Sequence, residues 1–227
     1  MFTRDKKVEL SRSIEWYHCI DLGDGVITNG VNKVPLTERL RLPRSLKGKT
    51  VLDNCAWDGL YSFECEKRGA QRVLATDSFC WSDVSFPGST TLGTKQGFLM
   101  AREILNSGVE DQNIGPEDVA PETVGRFDIV LLLGVVYHMK NPILVLQNSW
   151  NIARELLVVE SHIDERFGND TPVSVFYPGR ELNGDETNWW GPNRICLEMM
   201  LRTLSPEPRG VKLVDFQLGR AIFHAIR

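Results

Sequence analysis

Val51-Leu52-Asp53-Asn54-Cys55-Ala56-Trp57-Asp58-Gly59 runs from an apolar strand into a tight turn of small and acidic residues. Residues 60–68 continue it as an amphipathic helix. A second apolar run, Arg72-Val73-Leu74-Ala75-Thr76, then ends on Asp77, 18 positions beyond Gly59. Strand, turn, helix, strand and terminal acid form one nucleotide-binding βαβ unit. In such a unit the turn brings backbone N–H groups to a ligand, and the acid grips the two hydroxyls of a ribose.

The usual glycine string is degenerate here, with Cys55 and Trp57 at positions where glycines might stand. A pyrophosphate needs close backbone approach along the whole loop, whereas a ligand without phosphates tolerates side chains there. S-adenosylmethionine is such a ligand and NAD is not. The expected cofactor is therefore S-adenosylmethionine, with S-adenosylhomocysteine as its product. Asp53 and Asp77 can also be read as turn caps, but both fall at the right places in one βαβ frame.

Among the 227 residues 42% are hydrophobic, enough for a sizeable core, and the formal charge of −4 comes with no basic run to track a phosphate backbone. Nucleic acid is thus an unfavoured partner. The five cysteines, Cys19, Cys55, Cys65, Cys80 and Cys196, are odd in number and lack CxxC spacing, which argues against a disulfide framework or a structural zinc site and for a reducing cytoplasm. The apolar run at residues 129–136 is too short to span a bilayer, and the polar N-terminus is no signal peptide.

Strands and helices alternate. Strands are expected at residues 50–54, 72–76, weakly at 109–113, then at 127–133, 156–160, 211–218 and 221–226, the last two joined at Gly219-Arg220. Helices are expected at 36–46, 93–106, 142–152 and 192–204, the last two opening on Pro142 and Pro192. The pattern predicts an α/β fold: a doubly wound, Rossmann-like, seven-stranded and mostly parallel sheet with a C-terminal antiparallel hairpin. Residues 1–46 read as an N-terminal extension or lid, and 47–227 as one catalytic domain.

Ligands of such sheets bind at the carboxyl ends of the strands. That places Asp53, Cys55, Trp57, Gly59, Asp77, Ser78, Phe79, Asp118, Val119, Leu133 and Gly134 around the cofactor, with adenine near Phe79 and Val119 and Asp118 accepting from its amine. His138, beside Tyr137, reads as a general base or as a residue that holds its turn. Glu160 and His162 point to one side of their strand and, with Asp164, could form a base or hold a divalent cation; no metal site is favoured. Trp16, Tyr17 and His18 read as a lid or as an anchored surface helix. Adjacent Trp189 and Trp190, in a loop with Asn183, Asp185, Asn188 and Asn193, either plug the core or wall a pocket for a sugar or another flat polar metabolite.

The chain resembles the S-adenosylmethionine-dependent class I methyltransferases related to the tRNA wobble-uridine (5-carboxymethoxyuridine) enzymes. The residues that carry the likeness are Ile14-Glu15-Trp16-Tyr17-His18, Ile20-Asp21-Leu22-Gly23-Asp24-Gly25-Val26, the 51–59 segment with Tyr61-Ser62-Phe63-Glu64, and Arg68-Gly69-Ala70. Further along come Ala75-Thr76-Asp77, Phe127-Asp128-Ile129-Val130, Gly134-Val135-Val136-Tyr137-His138, Phe176-Tyr177-Pro178-Gly179, Glu181-Leu182-Asn183-Gly184-Asp185 and Asn188-Trp189-Trp190-Gly191-Pro192-Asn193. The resemblance implies the class I methyltransferase fold and cofactor contacts from the 53–59 loop, Asp77 and the segment after Leu133. Cys55 departs from it, since glycine is usual there. Tyr137 matches a residue of the tRNA enzymes, which use a carboxylated cofactor, but no Arg-Lys-Gly-Pro-like block precedes the first strand. The short region before that strand and the acidic charge point away from tRNA. The expectation is a methyltransferase of a sugar or secondary metabolite, O-methylation favoured, with His162, Glu160, His138 and Tyr137 as catalytic candidates. Trp16, Tyr17, His18, Tyr177, Asn188, Trp189 and Trp190 are the candidates for contacting the acceptor. A tRNA-modifying (carboxy)methyltransferase and a catalytically silent cofactor-binding protein are the alternatives.

Overall fold

The structure, a computed structural model, describes residues 2–33, 36–82 and 93–227. In chain order the elements are α1 (Arg4–Ser11), α2 (Leu36–Arg39), β1 (Thr50–Asn54), α3 (Leu60–Lys67), β2 (Arg72–Asp77), α4 (Gln96–Leu105), β3 (Glu110–Asn113) and β4 (Phe127–Leu133). A 3-10 turn at Val136–His138 leads to α5 (Pro142–Ile152), β5 (Ala153–His162), β6 (Ser174–Phe176), β7 (Trp190–Pro192), α6 (Arg194–Arg202), β8 (Gly210–Gln217) and β9 (Arg220–Ile226). Seven strands form one sheet in the order β3-β2-β1-β4-β5-β9-β8, and β6 pairs with β7 alone. This is the doubly wound sheet with an antiparallel C-terminal hairpin expected from the alternation of elements.

The chain divides into two compact units, residues 1–37 with 43–115, and residues 38–42 with 116–227. In the first, β1 and β2 run parallel with Asp53 opposite Ala75, and β2 runs parallel to β3 with Asp77 opposite Asn113. Val51, Leu52, Val73, Leu74 and Ala75 are buried on these strands. Both faces of a parallel sheet are covered, so the strands read as continuous apolar runs. Gly59, at φ 85°, lets the chain swing into α3. A Cβ there would lie 2.7 Å from the rings of Phe63 and Phe98, so glycine is required on two counts.

In the second unit β4 and β5 are parallel, and β9 pairs antiparallel with β5 and with β8. Leu131, Leu132, Leu157, Val158 and Val159 are fully buried, each contributing roughly 1.5–3 kcal/mol of hydrophobic stabilisation. Leu218 and Gly219, both at positive φ, form the two-residue turn between β8 and β9, a turn whose twist suits a hairpin. The expected turn at Gly219-Arg220 therefore sits one residue earlier, and Arg220 belongs to β9.

Two helices differ from expectation. The one expected at 36–46 ends at Arg39, because Arg41 turns to φ 52° and Leu42 precedes a proline, which disfavours helical backbone. The one expected to open on Pro192 opens at Arg194: Pro192 ends β7, and the Asn193 side chain caps the helix by accepting from the Cys196 N–H. Among the described residues no helix is long and apolar enough to cross a membrane.

Candidate functional site

In the first unit the β1–α3 loop is closed onto the end of β2 by its own amides. Cys55 and Ala56 both donate to the Thr76 carbonyl, at 2.8 and 2.9 Å, Trp57 donates to Asp77 Oδ2 at 3.0 Å, and Gly59 donates to the Ala56 carbonyl at 2.8 Å. Cys55 (φ 69°) and Trp57 (φ 51°) adopt the left-handed backbone where glycine was expected, a conformation that costs an L-residue roughly 1–2 kcal/mol. Trp57 is held from two more directions. Its ring stacks on Tyr17 at 3.8 Å between centroids, and its carbonyl accepts from the Trp81 indole at 2.6 Å.

Asp77 is buried at the carboxyl end of β2, where Oδ1 accepts from the Cys80 N–H at 2.9 Å. Burial raises its pKa, opposed by the surrounding backbone N–H bonds. Asp53 lies deeper, fully buried, accepting from the Ser62 hydroxyl at 2.6 Å. Burial pushes its carboxyl up to about 6, against the pull of Ser62. Ser78 is partly buried, while Phe79 is half-exposed and can offer a face to a flat ring.

Trp16 is a core residue, 2% exposed, its indole donating to the Ser11 carbonyl. His18 is buried against Asp58: its Nδ1 meets Asp58 Oδ1, while the Tyr17 and His18 amides donate to Asp58 Oδ2 at 3.0 and 2.9 Å. Asp58 was not singled out from the sequence, yet it joins this segment to the loop. Tyr17 is partly buried and stacks on Trp57.

In the second unit a polar cluster gathers where β4, β5 and β9 meet the loops. Glu160, fully buried, takes a two-point ion pair from Arg220, with Nε to Oε1 at 2.5 Å and Nη2 to Oε2 at 2.7 Å. Arg220 also donates to the Tyr137 hydroxyl at 3.1 Å. Burial works against the Arg220 charge, but Glu160 and Tyr137 leave its pKa raised overall. Burial raises Tyr137 as well. Arg220 stands opposite His162 in the β5–β9 register, and His162 Nε2 lies 3.4 Å from the Tyr177 hydroxyl. Tyr177 in turn donates to Asp164 Oδ2 at 2.7 Å, and Arg166 grips the same carboxylate. The possible cation site of Glu160, His162 and Asp164 is thus divided between two arginines, and among the described residues no group of three or more His, Cys, Asp or Glu is placed to hold a metal.

His138 sits in the turn after β4 with Nδ1 3.2 Å from the Thr187 carbonyl and 3.1 Å from its hydroxyl. Burial lowers its pKa. The Tyr137 carbonyl accepts from the Trp189 N–H at 2.8 Å. Trp189 and Trp190 are half-buried beside the exposed Phe176 ring, with centroids 6.2 and 5.1 Å away, and Lys140 lies over Trp189 at 4.8 Å. Asn188 donates to the Leu182 and Asp185 carbonyls, while its buried Oδ1 has no hydrogen-bond partner among the described residues. Leu133 ends β4 and Gly134 (φ 73°) follows it; a Cβ at Gly134 would lie 3.6–3.9 Å from Arg220, the Tyr137 hydroxyl and Glu160. Val119 is a core residue and Asp118 is exposed. Sequence reasoning missed Arg220, whose only signal is a lone cation heading an apolar strand.

No family model matches the chain. It is 28% identical over 177 residues to a tRNA U34 carboxymethyltransferase of Alteromonas mediterranea, covering 75% of this chain and 48% of that one. A tRNA U34 carboxymethyltransferase of Campylobacter hominis is 30% identical over 122 residues, 52% of this chain and 38% of the relative. The chain thus spans less than half the length of these curated relatives. Among solved structures, the N-terminal domain of EvdMO1 in the presence of SAH and D-fucose superposes with a TM-score of 0.66 at 15% identity, covering 98% of this chain and 94% of that one. The 1,6-didemethyltoxoflavin-N1-methyltransferase of Burkholderia thailandensis, with 1,6-didemethyltoxoflavin and S-adenosylhomocysteine bound, gives 0.55 at 14% identity over 80% of this chain and 72% of that one. The chain has the class I S-adenosylmethionine-dependent methyltransferase fold and resembles the tRNA U34 carboxymethyltransferases in sequence.

Proposed function

We propose that the protein is an S-adenosylmethionine-dependent methyltransferase acting on a small hydroxylated acceptor, with a sugar-like ring as the favoured class. One observation carries the cofactor assignment. The amides of Cys55, Ala56 and Trp57, which in a dinucleotide site would cradle a pyrophosphate, already donate to Thr76 and Asp77. A loop so closed fits an adenosyl ligand without phosphates and an acidic residue for its ribose. The two methyltransferase folds solved with SAH or S-adenosylhomocysteine support the same reading.

Asp77 would accept from the ribose hydroxyls, its orientation fixed by the surrounding amides, and Phe79 would face the adenine. Bound there, S-adenosylmethionine supplies an electrophilic methyl group on a cationic sulfur. The chain's own part is then to position an acceptor about 3 Å from that carbon and remove its proton. Phe176, Trp189 and Trp190 would face the acceptor ring. His162, kept neutral by burial and by the nearby Arg220 charge, is the assigned base. Glu160, held by Arg220, keeps that cation in place rather than acting on the proton itself. The D-fucose recorded with EvdMO1 supports a sugar acceptor.

The second reading, a (carboxy)methyl transfer to tRNA, is favoured by the names of both curated relatives. Calorimetric titration with S-adenosylhomocysteine and with NAD separates the cofactors: micromolar binding of the first alone is expected, and binding of NAD alone would overturn the assignment. Methyl transfer from labelled cofactor to hydroxylated sugars, set against transfer to bulk tRNA, separates the acceptors. His162→Ala should reduce turnover with little change in cofactor affinity; full activity would remove it from the reaction.

A further inference from the structure

Hydrogen bonds in the second unit determine which nitrogen of His162 carries its proton. Arg166 holds the Asp164 carboxyl well below the usual carboxylate range, so Asp164 can only accept. The Tyr177 hydroxyl therefore donates its single proton to Asp164 Oδ2, at 2.7 Å. Its oxygen is left as an acceptor, for Arg166 on one side and for His162 Nε2, at 3.4 Å, on the other. Nε2 must then be the protonated nitrogen. In a neutral ring the lone pair falls on Nδ1, which has no hydrogen-bond partner among the described residues.

We infer that Tyr177 and Asp164 are positioning residues that hold His162 as its Nε2–H tautomer and leave Nδ1 as the atom that takes the acceptor's proton. The inference rests on the reading of His162 as the base. As the acceptor oxygen bonds the methyl carbon and the carbon–sulfur bond breaks, the hydroxyl proton passes to Nδ1. The sulfonium becomes a neutral thioether and His162 an imidazolium, which returns the proton to solvent.

The surroundings agree with a neutral ring. Arg220 of β9, Glu160 of β5, and Asp164 and Arg166 beyond β5 are the charges that face it. The Tyr137 and Tyr177 rings lie 6.1 and 6.3 Å away between centroids. Burial is the largest influence and lowers the pKa, followed by Arg220. The backbone reserves the place of the Tyr177 hydroxyl: a Cβ at Gly191 would lie 2.1 Å from it.

His138 provides an internal control, because its bonds run the other way. The Thr187 hydroxyl donates to Asp185 at 2.7 Å, so both Thr187 oxygens accept and His138 must donate from Nδ1. Long-range nitrogen–proton correlation spectra of the full chain labelled at histidine, with His162→Gln and His138→Gln for assignment, read both tautomers directly. His162 is expected with Nε2 protonated and His138 with Nδ1 protonated. Tyr177→Phe removes the acceptor while keeping the ring, and should shift the His162 tautomer ratio about fivefold to tenfold while leaving His138 as it was. In the same variant kcat should fall and the affinity for S-adenosylhomocysteine should hold. An Nδ1–H His162 in the unaltered protein, or an unchanged ratio in Tyr177→Phe, would overturn the inference whatever the acceptor is. An Nε2–H His162 in a protein whose His162→Gln variant keeps full turnover would instead overturn the base reading, leaving the hydrogen-bond order intact.

Discussion

In the β1–α3 loop the amides of Cys55, Ala56 and Trp57 find acceptors on β2, and the side chains at two of these positions tolerate a glycine-like backbone. Around Tyr137 the contacts run between side chains instead: Arg220 to Glu160 and Tyr137, His162 to Tyr177, Tyr177 to Asp164. The amides of the loop are specified by residues adjacent in sequence and answered by Thr76 and Asp77 at the end of the next strand. The cluster is specified by residues up to 83 positions apart, brought together by the β5–β9 register. A site built from backbone holds its shape through many side-chain changes, whereas one built from buried charges fails when one partner goes.

Removing the charge of one member gives the largest expected loss of stability. Glu160→Gln leaves the partly buried Arg220 without its counter-charge and should cost about 3 kcal/mol of stability by urea denaturation; a loss under 1 kcal/mol would mean that the cluster is no more demanding than the loop. Next comes Asp77→Ala, which removes the carboxylate that accepts from the Trp57 amide. Two charge-assisted bonds to a ribose, at about 2 kcal/mol each, predict about a thousandfold weaker S-adenosylhomocysteine binding, with the far-ultraviolet dichroism retained. Unchanged affinity would place the cofactor elsewhere.

Asp53 gives a pH-dependent effect of about 2–3 kcal/mol, since each unit of pKa shift is worth about 1.4 kcal/mol. Its folded pKa of about 6 lies above the ordinary 3.8. The associated stability is therefore full below about pH 4 and lost as the pH rises through 6. Asp53→Asn should be more stable than the parent at pH 8, and the two should converge at pH 4; a difference independent of pH would assign Asp53 no titration in this range. Cys55→Gly should give the smallest change, a gain of about 1 kcal/mol from relief of the positive φ. A loss of that size would mean that the Cys55 side chain stabilises the loop by contact.

The same contrast explains what could be read in advance. β1, β2, β4 and β5 each contain an uninterrupted apolar stretch, and α5 opens on Pro142 capped by Asn141, so their patterns survive in one dimension. The pair β6–β7 left no such mark. Each strand has three residues, and the two pair across a long excursion, from Ser174 opposite Pro192 to Phe176 opposite Trp190. α1 was equally hidden, because its residues are mostly charged and only Lys7 is buried, reaching the Leu22 carbonyl. Within the site, Asp77 and the loop were legible as a motif, while Arg220 acquired meaning only when the hairpin set it opposite His162. Trp16 and His18 were legible as a cluster, but not that both are buried, His18 against Asp58, a residue 40 positions away.

Gly191 carries a consequence for how this protein can change. The Tyr177 oxygen occupies the point where any side chain at 191 would start. The two positions are therefore coupled in a fixed order: residue 191 becomes free to vary only after Tyr177 has been shortened. A library that randomises 191 alone should return glycine almost exclusively. One that first carries Tyr177→Ala opens both positions together, and with them a route to reshaping the wall beneath β7.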